Sequence, residues 1–284
     1  MSQRINCFIP YGDETQTKET ILNLKKDALV GKIYLLNAGE KGRCALEGCE
    51  VVDVPSLKNT EAMKKIAERA DADFTLLYTK ESKLEWVHFA LERMVNIAED
   101  SGAAMIYADH FNVIDGVRSF APVIDYQMGS LRDDFDFGSV LLYRTSAFKE
   151  AVSRMNINYQ FAALYDLRLK VSQKGVLEHM NEYLYYEVEM DTRKSGEKLF
   201  DYVDPKNRAV QIEMEQACTE HLKEIGGFLK PEFTHIEFSN DPFEYEASVV
   251  IPCKNRVRTI RDAITSALNQ KTSFKYNVIV VDDN

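Results

Sequence analysis

Carboxylates gather at a few points of this sequence, several of them directly after apolar runs. The stretch NVIVVDDN, residues 277–284, delivers Asp282 and Asp283 from a hydrophobic strand to a sheet edge, which is how a binding site in an α/β protein usually begins. Asp109 closes the run MIYAD in the same way, at the carboxyl end of a strand where open sheets bind their ligands. His110 follows it and reads either as a metal or acceptor ligand or as a structural strand-end histidine. The densest acidic group is Asp133, Asp134 and Asp136 in SLRDDFDFG. It reads either as part of a site, with Gly138 letting a ligand approach the backbone, or as a solvated loop. Arg193 and Lys194 in DTRKSGEK suit a phosphate clamp or a plain polar loop. The SGEK there lacks the GxxxxGK[ST] spacing of a P-loop.

The elements that must position these residues follow a repeated pattern. Residues 5–38 and 247–283 each read as a short apolar strand ending in Ile-Pro, a polar loop, an amphipathic helix and a second apolar strand ending in a polar pair. In the later copy Ile260, Ala263, Ile264, Ala267 and Leu268 recur at helical spacing. Each copy predicts a βαβ unit with parallel strands and a right-handed crossover. Between them, helical stripes alternate with buried strands. Ala62, Met63, Ile66, Ala67 and Ala70 precede DFTLLYT, and Leu84, Val87, Leu91, Met94 and Ala98 precede AAMIYAD. That alternation predicts an α/β fold with a mostly parallel sheet covered on both faces. Trp86 falls in the second stripe and reads as a core residue. A long helix is expected over residues 208–225, with Val210, Met214, Ala217, Leu222 and Ile225 inward. The expected domains are 1–243 and 244–284, the second read as the opening βαβ unit of a further domain.

With 284 residues, 45% hydrophobic and 28% charged, the chain is globular in composition. Its formal charge of −10 has the wrong sign for a generic phosphate-backbone binder, which argues against nucleic acid. Five scattered cysteines show no metal-ligand spacing and fit a reducing compartment. No apolar run approaches the roughly 18 residues of a spanning helix, and no leader pattern opens the chain. The expected location is the cytoplasm, including the inner face of the membrane.

SVVIPCKNR, a helix with A-I-x-S-A-L-x-Q, and VIVVDD, in that order and spacing, resemble the start of family 2 glycosyltransferases. These are GT-A-fold enzymes that transfer sugars from nucleotide donors. Within that frame the first domain also resembles the family over nearly its full length. ERADADFTLLYTKESKL is similar to the run into the DxD motif, and AAMIYADHFNVIDG to the Tyr-x-Asp strand after it. FDFGSVLLYRTSAF is similar to the sugar and acceptor pocket, and YDLRLKVSQKG to the helix of the catalytic base. The resemblance implies a GT-A, Rossmann-like α/β fold and donor-binding roles for Pro10, Tyr11, Asn37, Thr79, Glu81 and Asp109. It implies a sugar or acceptor pocket at Asp133, Asp134, Asp136 and Gly138, and a second nucleotide site at Pro252, Asn255, Asp282 and Asp283. It further implies Mg²⁺ or Mn²⁺ on the donor diphosphate, held by hard oxygen ligands, and a carboxylate base on the acceptor.

The first domain departs from that pattern at three places. Asn37-Ala38 stand where the second copy has Asp282-Asp283. Thr79 and Glu81 occupy the DxD positions, leaving Glu81 as the metal-ligand candidate. Leu164 sits where the base is usual, with Asp166 the nearest acid of that motif. Two functions therefore stay open. One is a glycosyltransferase that uses a UDP- or GDP-linked sugar on a glycan or glycoconjugate acceptor in polysaccharide biosynthesis. The other is a non-catalytic domain that binds acceptor or partner while a second domain does the chemistry. A sugar nucleotidyltransferase would need a Gly-rich basic phosphate loop after the first strand, which YGDETQTKE is not. An isolated βαβ unit cannot bury both faces of its strands, so residues 247–284 are expected either to dock on the first domain or to pair in a homodimer.

Overall fold

A computed structural model of the chain describes residues 3–39, 46–114, 116–188, 208–237 and 243–283. Arg193 and Lys194 lie outside the described residues. The chain divides into two compact units, Met1–Leu229 and Lys230–Asn284.

The first unit opens with β1 (Ile5–Pro10), α1 (Glu14–Leu24), β2 (Val30–Ala38) and β3 (Glu50–Val54). It continues with α2 (Thr60–Arg69), β4 (Phe74–Tyr78), β5 (Leu84–Trp86) and α3 (Ala90–Ser101). Next come β6 (Met105–Ile114), β7 (Val117–Ala121), β8 (Val140–Arg144), α4 (Thr145–Ser153), α5 (Ala163–Ser172), β9 (Leu177–Val188) and α6 (Arg208–Glu224). The described strands form one nine-stranded sheet in the order β3-β2-β1-β4-β8-β6-β9-β5, with β7 paired to β6. β1 is parallel to β2 and β4, β2 to β3, and β6 to β9, while β8 runs antiparallel between β4 and β6. The expected α/β layout with helices on both faces is what the chain adopts, but the sheet is mixed rather than mostly parallel: four strand pairings are parallel and four antiparallel, because β5, β7 and β8 run against their neighbours.

Alternation along the central strands explains why the sheet is covered on both sides. Ile5, Cys7 and Ile9 of β1, Ile33 and Leu35 of β2, and Phe74, Leu76 and Tyr78 of β4 all pack with α1 and α3. The intervening Phe8, Tyr34, Leu36 and Leu77 pack with α2, α4 and α5 on the other face. A strand with period two that is apolar at both parities has no face left for water. Helix starts are fixed locally, as Asp13 accepts from the Gln16 N–H at 3.0 Å and Asn59 from the Glu61 N–H at 2.8 Å, each satisfying an orphan donor.

One expected helix is shorter than its stripe. Leu84 and Trp86 belong to β5, paired antiparallel with β9, and the Val87 N–H donates to the Leu184 carbonyl. Phe89, with φ 62°, then interrupts the chain before α3 begins. Sheet pairing here overrides a pattern that fits a helix equally well. Trp86 is thus a strand residue, and it packs edge-on against Tyr185 at 6.1 Å. In α6 Ala217 and His221 are buried and Met214 packs beside Ala217, whereas Ile225 lies beyond the helix and is about half exposed.

The second unit contains β10 (Ala247–Cys253), α7 (Ile260–Leu268) and β11 (Tyr276–Asp282), the two strands parallel as expected. No helix among the described residues is long and apolar enough to cross a membrane.

Candidate active site at the carboxyl edge of the sheet

The strands β3, β2, β1, β4, β6 and β9 point the same way, so their carboxyl ends share one edge of the sheet, with the start of antiparallel β8 between β4 and β6. This is where open α/β sheets bind ligands. Moving across it, the rim presents Asp53, Asn37, Pro10-Tyr11, Thr79-Lys80, Asp109-His110 and Glu187.

At one end Asn37 is buried in register with Asp53, and its amide donates to the Asp53 carboxylate at 2.8 Å. The amide oxygen of Asn37 is buried with no protein partner. An acceptor left this way at a strand end is open to a ligand N–H. Asp53, which sequence reasoning passed over, restores beside Asn37 the carboxylate missing at that position. The signal was weak, because Asp53 sits in a short strand without a motif.

Beside it, the Tyr11 N–H donates to the Leu36 carbonyl, tying the β1 end to β2. Gly12 then passes so close to the next loop that a Cβ there would lie 2.5 Å from the Glu81 carbonyl oxygen. The β1–α1 turn and the Thr79–Glu81 segment are therefore in backbone contact. Glu81 is exposed. The Thr79 hydroxyl and N–H both donate to the Ser139 carbonyl, at 3.2 and 2.9 Å, fastening the end of β4 to the start of β8.

The middle of the rim holds a cavity of about 180 Å³ lined by Lys80, His110, Asn112, Asp136, Gly138 and Glu187. Glu187 is buried and forms an ion pair with Lys80. Its second oxygen has no hydrogen-bond partner and lies 3.6 Å from His110 Nε2. His110 stacks on Tyr185, with centroids 5.2 Å apart, and its Nδ1 is also unpartnered. Burial lowers the His110 pKa below the ordinary 6.5, with Asp136 and Asp109 opposing, so the ring is neutral at pH 7. Gly138 has φ +71°, and a Cβ there would lie 2.1 Å from the Tyr185 hydroxyl oxygen. Glycine is required by both conformation and space. One Asp136 oxygen accepts from the Gly138 N–H at 2.8 Å.

Asp109 points to the other face of β6, as alternation demands. It accepts from the Val123 N–H at 2.8 Å and faces His179 Nε2 at 2.9 Å, while His179 Nδ1 faces Asp125 at 2.6 Å. Asp109 Oδ1 makes both contacts and so ties down the segment after β7 rather than lining the cavity. Within the acidic cluster Asp134 makes a bidentate pair with Arg132, Asp133 is exposed, and only Asp136 reaches the cavity.

Asp166 is elsewhere. It is buried on α5, 3.4 Å from Lys170 Nζ, which also reaches Glu224 of α6 at 3.1 Å. Burial raises its pKa, opposed by Lys170. Leu164, at the usual base position, packs against the α2/α4/α5 core. Helix α5 instead supports the loop ahead of the acidic cluster. Arg168 donates to the carbonyls of Ser130 and Arg132, and Tyr165 donates to that of Leu131.

The donor set at Thr79–Glu81 does not fit a divalent cation. A hard dication takes several anionic or carbonyl oxygens. Here Thr79 offers only a neutral hydroxyl, Glu81 supplies a single carboxylate on an exposed side chain, and the residue between them, which lines the cavity, is a cation, Lys80. Among the described residues no group of three or more His, Cys, Asp or Glu side chains is gathered for a metal ion.

The second unit repeats the register of the first. Pro10 pairs with Leu36 and Pro252 with Val281, so Asn37 and Asp282 occupy the same place in the two βαβ units. Asp282 faces Cys253 Sγ at 3.7 Å, Asp283 faces Lys254 Nζ at 3.3 Å, and Asn255 adopts a positive φ of 54°. Asp282 and Asp283 thus lie at the end of β11 beside the Cys253–Lys254 end of β10.

Comparison with known proteins gives the following. No curated protein matches the chain. Among solved structures, S. aureus TarS 1-349 in complex with UDP-GlcNAc is 11% identical, with a TM-score of 0.47 over 79% of this chain and 73% of that one. The same protein in complex with UDP is 13% identical, with a TM-score of 0.48 over 79% and 72%. Residues 248–284 match the family model described as glycosyl transferase family 2. The similarity to glycosyl transferase family 2 thus lies in the C-terminal unit, over residues 248–284.

Proposed function

We propose that the chain is part of a glycosyltransferase using a UDP- or GDP-linked sugar, and that its first unit holds the nucleotide sugar along the carboxyl rim of the sheet. One observation carries this reading. The first βαβ unit has the same strand register as the family-matched one, with Asn37 in the place of Asp282. The base and ribose would lie against Asn37 and Asp53, the diphosphate across the Tyr11–Gly12 turn and Lys80, and the sugar in the cavity at Gly138, Asp136 and His110. Unpaired acceptors on Asn37 and Glu187 suit the N–H and O–H donors of such a ligand. The acceptor would be a glycan or glycoconjugate, built in the cytoplasm.

A second reading, that the first unit binds without catalysing, is favoured by the place of Asp166. The acid nearest the base motif is committed to Lys170 on α5, away from the cavity-lining residues. Calorimetric titration with UDP and GDP tests the shared core of both readings. Binding is expected for one of them, weakened by about tenfold or more in Asn37→Ala through loss of a ligand hydrogen bond. Absence of binding by either nucleotide would sink the proposal.

A further inference from the structure

The segment that should carry the metal site holds an ammonium group instead. Lys80 lies between the two positions, Thr79 and Glu81, at which carboxylates would present a divalent cation to a diphosphate. Its side chain lines the cavity and pairs with Glu187. The pair is asymmetric. The Lys80 side chain is 42% exposed and that of Glu187 4%, so a ligand arriving from solvent meets the positive end first, with the carboxylate behind it. Asp136, the other acid of the cavity, has one oxygen occupied by the Gly138 N–H. An ammonium with three protons can keep Glu187 and still donate outward.

We infer that Lys80 takes the role of the divalent cation, so that nucleoside diphosphate binding by the first unit is independent of Mg²⁺ and Mn²⁺ and depends on this one ammonium. A fixed lysine is a known kind of phosphate partner, acting as a point charge. Glu187 is the positioning residue, which holds the ammonium at the rim and leaves a metal facing a like charge. The inference rests on the nucleotide-sugar reading above, and its test separates the two.

The experiment titrates UDP and GDP into the full chain in EDTA and again in excess Mn²⁺. It is repeated for Lys80→Met and for the double variant Lys80→Met/Glu187→Gln, which avoids stranding a buried carboxylate. In parallel, Mn²⁺ without nucleotide is followed by its electron paramagnetic resonance signal. The expected result is equal affinity with and without metal, a loss of about 10- to 100-fold in both variants, and a Mn²⁺ signal that stays that of the free ion. Binding that needs Mn²⁺, or that Mn²⁺ tightens tenfold, overturns the inference while leaving the nucleotide reading intact. Metal-independent binding that both folded variants retain overturns the role of Lys80. No binding under any condition removes both.

Discussion

Gly138→Ala offers a direct probe of how the cavity is built. At φ +71° an alanine costs about 1–2 kcal/mol relative to glycine. Its Cβ would also lie 2.1 Å from the Tyr185 hydroxyl oxygen, a separation no real contact allows. That hydroxyl is held by the Ser139 N–H at 2.9 Å in the interior, so displacing it leaves a buried donor unpaired at about 1–3 kcal/mol. Together these give a loss of about 3 kcal/mol. For a unit of this size each kcal/mol moves Tm by about 2–4 °C, so the melt should fall by about 6–12 °C. Urea unfolding followed by far-UV circular dichroism measures the free energy, and Tyr185→Phe supplies the second arm of a cycle. Removing the hydroxyl relieves the overlap, so Gly138→Ala should cost only its conformational share in that background, a coupling of about 1–2 kcal/mol. A loss below about 1 kcal/mol in the single variant, or an equal loss in both backgrounds, would refute the account of the cavity wall.

Two further outcomes follow from the histidines. His179→Ala removes one partner of buried Asp109 and its link to Asp125, and it should destabilise the unit by about 1–3 kcal/mol through the lost hydrogen bond; amide exchange at Val123, which donates to Asp109, should accelerate, and unchanged exchange there would exclude the tether. Because burial lowers the His110 pKa below 6.5, the unfolded chain binds more protons, so stability is full above that value and falls as the pH drops below it. His221, lowered chiefly by burial as well, adds to the same slope, so His110→Gln should flatten part of the pH dependence of urea midpoints between pH 7 and 5; an unaltered slope would contradict a buried neutral His110.

What the sequence made legible is what local pattern encodes. Strands apolar at both parities, capped helices and the two βαβ copies are written in neighbouring residues, and the register Pro10–Leu36 against Pro252–Val281 agrees with the alignment of Asn37 on Asp282. The helix expected from Leu84 failed because Leu84–Trp86 satisfy their backbone groups on β9, a strand some hundred residues later. The same distance hid the chemistry of the site. Asp109, expected at a strand end, lies in the middle of β6, because pairing with β7 and β9 carries the strand on to Ile114; its partners are Val123 and His179, which no local pattern ties to it.

Lys80 and Glu187 illustrate the limit most sharply. Neither belongs to an acidic or glycine-rich motif, and each alone reads as a surface charge. Only the parallel pairing of β6 with β9, Asn112 opposite Glu187, carries the carboxylate beneath the end of β4. A charge with 4% of its side chain exposed stays ionised at tolerable cost only with a counter-charge at hand. Its burial therefore explains why residue 80 is a lysine, independently of any nucleotide. The same pair thus serves the fold by neutralising Glu187 and fixes a cation at the rim where a diphosphate would lie. That double duty is why Lys80→Met alone confounds stability with binding, and why the variant that also changes Glu187 to Gln is the one that isolates the cation.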